Sequence, residues 1–419
     1  MLPYRTLTEI TNNGPYVTKL ILPMPVEIGA NDVTPETFSV YVERKNRNTG
    51  EIVLTSRTWL EPPTLPSKGY REITAAYPSD GQGNRLETGN YATLEMAYGP
   101  IYPLGYAQAS FGMMKNEWIF SDYRVTQIKE IPGDPPVSGL VFGESEEELC
   151  PQMDGWVNDT SHYEALPLNY GYWAPAEEGK RPLVIWLHGA GEGGSDPTIA
   201  YTGNKVVNLS GPDIQAKLGG AWILAPQTPT MWMDDGSGQY GRTGRSKYTE
   251  ALKALIDEFV ALHADRIDAN RIYIGGCSNG GFMTMRMIID YPDFFAAAYP
   301  VCEALYDETI TDENIQSIKD LPIWFVHASN DPVVKPGETV VPTYERLIAA
   351  GATNVHFSYY DKVVDDKFVN EKGLPYEYIG HFTWVYVYND DCHLDYNGEP
   401  VTIDGQPVTL FQWMAHQSR

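Results

Sequence analysis

The sequence predicts two folds in tandem: a small antiparallel all-β sandwich over residues 1–135, then a doubly wound α/β domain over residues 136–419. Three observations carry that expectation. Short runs with period-two alternation, separated by turn-forming clusters, fill the first part. A proline-rich stretch, Ile131-Pro-Gly-Asp-Pro-Pro136, then interrupts the chain. Beyond about residue 150, apolar runs without alternation take turns with helical patterns, as in a parallel sheet covered on both faces.

The composition suits such folds. At roughly 150 residues per domain, 419 residues make two or three hydrophobic cores. Hydrophobic residues are 42% and charged residues 20%, the balance of an ordinary globular protein. Thirty Lys and Arg against 55 Asp and Glu give a net charge of −25. So acidic a surface repels phosphate backbones and anionic lipid, which excludes nucleic acid and membrane surfaces as partners. No run approaches the 18 or so apolar residues that a transmembrane helix needs. The first ten residues, Met1 to Ile10, lack a basic n-region and an apolar h-region. That fits a cytoplasmic protein or an exported one whose signal peptide has been removed, and the sequence does not separate the two. Cys150, Cys277, Cys302 and Cys392 are too few and too scattered for a disulfide scaffold or a zinc ribbon. They read as buried small hydrophobes, with a Cys277–Cys302 disulfide as the alternative in an exported protein.

In the first part, Thr37-Phe-Ser-Val-Tyr-Val-Glu-Arg44 alternates as a half-buried strand does, and Val17–Leu22, Arg71–Tyr77, Tyr91–Ala97 and Tyr123–Ile128 are similar. Asn46–Gly50 and Ser79–Asn84 are turn clusters between them. Several strands at this spacing with no amphipathic helix suggest a sandwich of the immunoglobulin type. The acidic run Glu144-Ser-Glu-Glu-Glu148 reads as a solvated face or loop. In the second part the strand candidates are Leu168–Trp173, Leu183–Leu187, Ala221–Ala225, Ile272–Gly275, Ala296–Val301 and Ile323–His327. Within Lys247–Leu262, Leu252, Leu255, Ile256, Phe259 and Val260 recur at helical spacing and predict an amphipathic helix.

The chemistry starts at Gly276-Cys-Ser-Asn-Gly280, a G-x-S-x-G. With 38 glycines in the chain the match alone is weak, but it follows a strand candidate and precedes the helical stretch Gly281–Ile289. A nucleophile elbow needs that strand–turn–helix, which exposes the serine hydroxyl at the top of the sheet. A serine needs a base, and the base needs a carboxylate to fix its tautomer. Asp331, on a turn just past the strand candidate ending at His327, is the acid candidate. Of the histidines that follow, His356 lies within an apparent strand and His416 in the last turn of a terminal helix. His381, in Ile379-Gly-His-Phe-Thr-Trp384, is the base candidate, with His393 the alternative. Leu183–Leu187 runs into His188-Gly-Ala-Gly-Glu-Gly-Gly194, a glycine-rich loop that places Ala190, or Gly191, beside Asn279 as backbone donors for an oxyanion. The phosphate-binding alternative lacks G-x-x-x-x-G-K-[ST]. His188 reads as structural, orienting the loop.

Taken together, His188-Gly-Ala-Gly, Gly276-Cys-Ser-Asn-Gly-Gly281, Asn330-Asp-Pro-Val and Gly380-His-Phe-x-Trp384 resemble the polyhydroxybutyrate-depolymerase and feruloyl-esterase-like branch of the α/β-hydrolases. The arrangement resembles bacterial two-domain esterases that carry an immunoglobulin-like module before the hydrolase. The resemblance implies hydrolysis of small or polymeric esters through Ser278, His381 and Asp331, with no metal or organic cofactor. Between Glu303 and Pro322 there is too little chain for a large cap, which predicts a comparatively open site. Trp384, and Trp232 within Met231-Trp-Met233, either line an acyl or aryl pocket or pack in the core. Two other readings stand beside the esterase: a serine peptidase of the prolyl-oligopeptidase kind, and a glycan- or surface-binding protein whose hydrolase domain is a scaffold. The first normally carries a propeller far longer than this β domain.

Overall fold

The computed structural model describes residues 1–54, 67–110 and 115–419. The chain divides into two compact units, residues 1–154 with 370–372, and residues 155–369 with 373–419. Residues 136–154, expected to open the α/β domain, belong to the first unit.

The first unit is built from β1 (Leu2–Thr11), β2 (Gly14–Gly29), β3 (Phe38–Asn46), β4 (Lys68–Arg71), β5 (Ile73–Ser79), β6 (Thr88–Met96), β7 (Gln108–Ser110), β8 (Asn116–Gln127) and β9 (Val141–Leu149). Hydrogen bonding orders them β4-β3-β8-β9-β1-β2-β6-β5, with β7 on β8. Val40 and Val42 of β3 share one buried cluster with Leu20 and Leu22 of β2, Leu94 of β6 and Tyr123 of β8. Strands far apart on the path thus meet across a common core, as the alternation in the sequence requires. The acidic run Glu144–Glu148, read above as a loop or solvated face, is β9: solvated, but a strand. It runs parallel to β1 and antiparallel to β8. Its charge is matched from a distance, Arg5 meeting Glu146 at 3.1 Å and Arg47 meeting Glu148 at 2.6 Å.

The second unit carries one eight-stranded sheet: β10 (Trp156–Thr160), β11 (Asn169–Trp173), β12 (Arg181–Leu187), β13 (Trp222–Gln227), β14 (Ile267–Cys277), β15 (Ala297–Val301), β16 (Ile323–Ala328) and β17 (Val355–Tyr360). Their order is β10-β11-β13-β12-β14-β15-β16-β17. β11 is antiparallel to both neighbours, and the strands from β13 onward are parallel. A hairpin, β18 (Val363–Val369) and β19 (Pro375–Tyr378), follows β17. The helices are α1 (Pro197–Thr202), α2 (Pro212–Leu218), α3 (Thr249–Leu262), α4 (Asn279–Asp290), α5 (Asp312–Ile318), α6 (Val340–Ala349), α7 (Trp384–Tyr388) and α8 (Leu410–Ala415). This is the α/β-hydrolase architecture.

The two central helices show how the sequence sets their depth. In α3, Leu252, Leu255, Ile256 and Phe259 are buried, while Lys253 and Asp257 pair on the outer side at 2.6 Å. In α4 every residue except Arg286 and Asp290 is buried, so it lies under the sheet as a helix apolar almost all round. β14 sits mid-sheet between β12 and β15, and its C-terminal end delivers the chain straight into α4. Among the described residues, no helix is long and apolar enough to cross a membrane.

Candidate active site

Ser278 occupies the junction of β14 and α4 with φ 56° and ψ −114°. A non-glycine residue there stores roughly 1–3 kcal/mol of backbone strain, which the surroundings must impose. They do so from both sides. The Ser278 N–H donates to the Val301 carbonyl at 2.9 Å, and its own carbonyl accepts from Phe282 N–H at 2.9 Å. The motif glycines explain themselves by contact. A Cβ on Gly280 would run into the Leu187 and His188 carbonyls, and one on Gly281 would sit 2.7 Å from the Glu303 Cα. Only bare backbone lets α4 come this close to the ends of β12 and β15.

Asp331 lies on the turn after β16 and is buried. Its Oδ1 accepts the backbone N–H groups of Val333 at 2.8 Å and Val334 at 3.0 Å. Its Oδ2 faces His381 Nδ1 at 2.7 Å and His327 Nε2 at 2.9 Å. Burial alone would raise the Asp331 carboxyl, but the hydrogen bonds from His327 and His381 outweigh it and hold it well below the usual carboxylate range. Of the four histidines after Asp331 in the chain, His381 alone is hydrogen-bonded to it. His356 pairs with Asp395 at 2.7 Å, His393 meets the Asp391 carbonyl, and His416 meets the Gln412 carbonyl at 2.8 Å. The Cys302 thiol, raised by burial, faces the Ser278 backbone, the Thr383 hydroxyl and the Asp331 carboxylate. The loops carrying the serine, the acid and the histidine therefore converge around one side chain.

Ala190 opens a single 3-10 turn, Ala190–Glu192, directly after the His188-Gly189 corner. Asn279 is the first residue of α4, so its N–H has no carbonyl to reach within the helix. The close approach of Gly280 to Leu187 and His188 brings these two segments together. His188 fixes the corner: Nδ1–H donates to the Gly189 carbonyl at 2.6 Å, and Nε2 accepts the Thr228 N–H at 3.1 Å. Burial pushes this imidazole down to about 4, so it is neutral and serves as a brace, not a base.

Of the two tryptophans, Trp232 has no exposed surface, while Trp384 keeps a little beside His381. Trp232 is fully buried in the main core, where its ring packs on His188 at 5.2 Å. The half-buried Met233 beside it donates its N–H to Asn279 Oδ1 at 3.0 Å, so the loop supplies Met233 at the elbow instead. Trp384 is 7% exposed and stands edge-on to His381 at 5.5 Å, backing the imidazole. Trp232 therefore packs in the core, the second of its two alternatives. All four cysteines are free, so Cys277 and Cys302 are not joined.

Two buried groups at the site escaped the sequence reading. His327 is the next-to-last residue of the buried apolar strand β16, four residues before Asp331, a spacing visible in the sequence. Glu303 is 1% exposed, accepts the Leu305 N–H on Oε2 at 2.7 Å, and has no partner on Oε1 among the described residues. Burial pushes its carboxyl up from 4.5 to about 8. The folded protein thus keeps the proton while the unfolded chain loses it, so stability is lost as pH rises from about 4.5 to 8. Replacing Glu303 with Gln is expected to stabilise the protein increasingly across that window, by at most about 5 kcal/mol. Urea melts of both proteins across the window check this; parallel curves would show that Glu303 is not held neutral.

Residues 3–134 match the family described as the esterase Ig-like N-terminal domain, and residues 174–369 match the phospholipase/carboxylesterase family. A crystal structure described as that of a thermostable esterase superposes with a TM-score of 0.74 at 25% identity, covering 99% of both chains. A poly(3-hydroxybutyrate) depolymerase of Ralstonia pickettii is 31% identical over 134 residues, 30% of this chain and 27% of that protein. Poly(3-hydroxyalkanoate) depolymerase C of Paucimonas lemoignei is 41% identical over 133 residues, 30% of this chain and 28% of that protein. The chain spans little more than a quarter of the length of these two depolymerases. It is built like the two-domain esterases, an immunoglobulin-like unit followed by an α/β-hydrolase unit.

Proposed function

We propose that this protein is a serine carboxylesterase that hydrolyses carboxylic esters through an acyl-enzyme on Ser278. The observation that carries the reading is the 2.7 Å hydrogen bond between His381 and a carboxylate already locked by two backbone N–H groups, on loops that converge with a strained serine. In this reading Ser278 Oγ attacks the ester carbonyl carbon as His381 Nε2 takes its proton. Asp331 keeps Nδ1 protonated and stabilises the imidazolium. The N–H groups of Ala190 and Asn279 receive the negative oxygen, each worth about 3 kcal/mol in the transition state. His381 returns the proton to the departing alkoxide. Water, activated by the same imidazole, then releases the acid and restores the serine. Trp384 and Met233 border this chemistry as support and as a flexible apolar contact.

Hydrolysis of p-nitrophenyl acetate and butyrate, run beside a peptide p-nitroanilide and a fluorophosphonate label read by mass spectrometry, tests the reading. The expected result is ester turnover, an inert anilide and a single label on Ser278. Cleavage of the anilide alone would make the protein a peptidase. A label elsewhere would remove Ser278 from the chemistry.

A further inference from the structure

His327 lies one residue before the end of β16, paired in register with Tyr359 of β17, and is fully buried. Its Nε2 faces two acceptors, Asp331 Oδ2 at 2.9 Å and the Val334 carbonyl at 3.1 Å. Its Nδ1 is buried and has no partner among the described residues. A proton on Nδ1 would be stranded, whereas one on Nε2 is shared by two oxygens, so the ring is the neutral Nε2–H tautomer. Burial keeps it below the ordinary imidazole range, against the opposing pull of Asp331. The Val334 N–H in turn donates to Asp331 Oδ1 at 3.0 Å. Strand, turn and carboxylate therefore form a closed ring of hydrogen bonds, and the oxygen it presents is the one His381 uses.

We propose that His327 is a positioning residue for the esterase triad: it holds the Asp331 carboxylate in the rotamer that meets His381 and, by sharing Oδ2, tempers how strongly that oxygen binds the protonated imidazole. The proposal rests on the reading of Asp331 as the triad acid. It follows from one oxygen serving two imidazoles, because every donor on Oδ2 takes part of its charge from the other. Four lone-pair sites on Asp331 are filled by two backbone and two imidazole donors, so the carboxylate cannot rotate without breaking the set. The titratable groups facing the cluster are His327, His381, Asp331 and the Cys302 thiol, which burial keeps protonated throughout the relevant range.

The experiment compares His327→Leu, which removes the donor at similar volume, with His327→Gln, whose terminal amide places a donor near the Nε2 position. In His327→Leu, kcat for p-nitrophenyl butyrate is expected to fall roughly 10- to 100-fold, the scale of a displaced catalytic group, with KM within about twofold. Its acid limb of kcat/KM is expected at higher pH, since an unshared Oδ2 favours the protonated ring. His327→Gln is expected to retain both rate and profile. Rates are normalised to fluorophosphonate-titrated sites, so loss of folded protein does not count. An acid limb in His327→Leu that superimposes on wild type would overturn the proposal, as would His327→Gln falling as far as His327→Leu. If His327→Leu does not fold, nitrogen-15 histidine spectra of the wild type decide independently. They are expected to show His327 as the neutral Nε2–H tautomer throughout, and an Nδ1–H tautomer overturns it. Asp331→Asn run alongside separates the two readings. Near-full turnover there removes the triad acid itself, whereas an inactive Asp331→Asn with an unmoved His327→Leu profile removes only the positioning role.

Discussion

Replacing Ser278 with alanine is expected to lower kcat/KM for p-nitrophenyl acetate by at least roughly 10⁴-fold, with no change in fold. The size follows from what is deleted. Without Oγ there is no acyl-enzyme, and the residual rate comes only from the oxyanion donors and from holding the ester near water. The fold should survive because the Ser278 backbone contacts to Val301 and Phe282 persist in alanine. Alanine carries a Cβ too, so the positive φ at this position keeps its cost. Circular dichroism and the loss of fluorophosphonate labelling accompany the kinetics. A variant that kept turnover within tenfold of wild type would place the nucleophile elsewhere.

The second large effect is at Asp331. Asparagine preserves the shape but replaces one acceptor oxygen by an NH₂ group. The two backbone donors Val333 and Val334 claim its carbonyl oxygen, which turns the amide nitrogen toward His327 and His381. Donor then faces donor twice. His381 escapes by moving its proton to Nε2, and in that tautomer it cannot accept from Ser278. A fall of about 10⁴-fold in kcat is expected, with KM little changed. His327 is left with the Val334 carbonyl as its one acceptor, while the new amide donor is set against its Nε2–H. The variant should also melt earlier than wild type, and thermal unfolding followed alongside kcat checks both parts. If kcat survives, the acid lies elsewhere, and the buried Glu303 at the end of β15 is the first place to look.

These two positions show what kind of information the sequence carries. Gly276, Ser278 and Gly280 are legible because the constraint is local: two glycines and a strained residue must follow one another wherever a strand turns sharply into a helix. Asp331 is legible because β16 is a plain apolar run and the turn after it is marked by Asn330-Asp331-Pro332. His327 was not, because its partner is set by how that turn curls back, which no periodicity encodes. β9 was hidden for a different reason. Its Gly-Glu-Ser-Glu-Glu-Glu stretch has neither alternation nor β-branched residues, and it is a strand only because β1, β8 and two distant arginines hold it there. Trp232, between two methionines, fits a pocket wall or the core equally well in the sequence, and in the structure it lies buried against His188. An aromatic in a loop reads the same from sequence whether it faces solvent or core.

The position of β9 also bears on how the protein is made. It is the last strand of its unit in the sequence, yet it lies between β8 and β1 in the middle of the sheet. Before β9 leaves the ribosome, the pairing of this sheet is available only in two separate parts, β1-β2-β6-β5 and β4-β3-β8, which β9 alone joins. Neither can close until residue 149 is clear of the exit tunnel. The acidic side chains of β9 oppose pairing of that late strand with another chain in the interval. Synthesis of the serine-bearing unit is thus under way before the module ahead of it is complete.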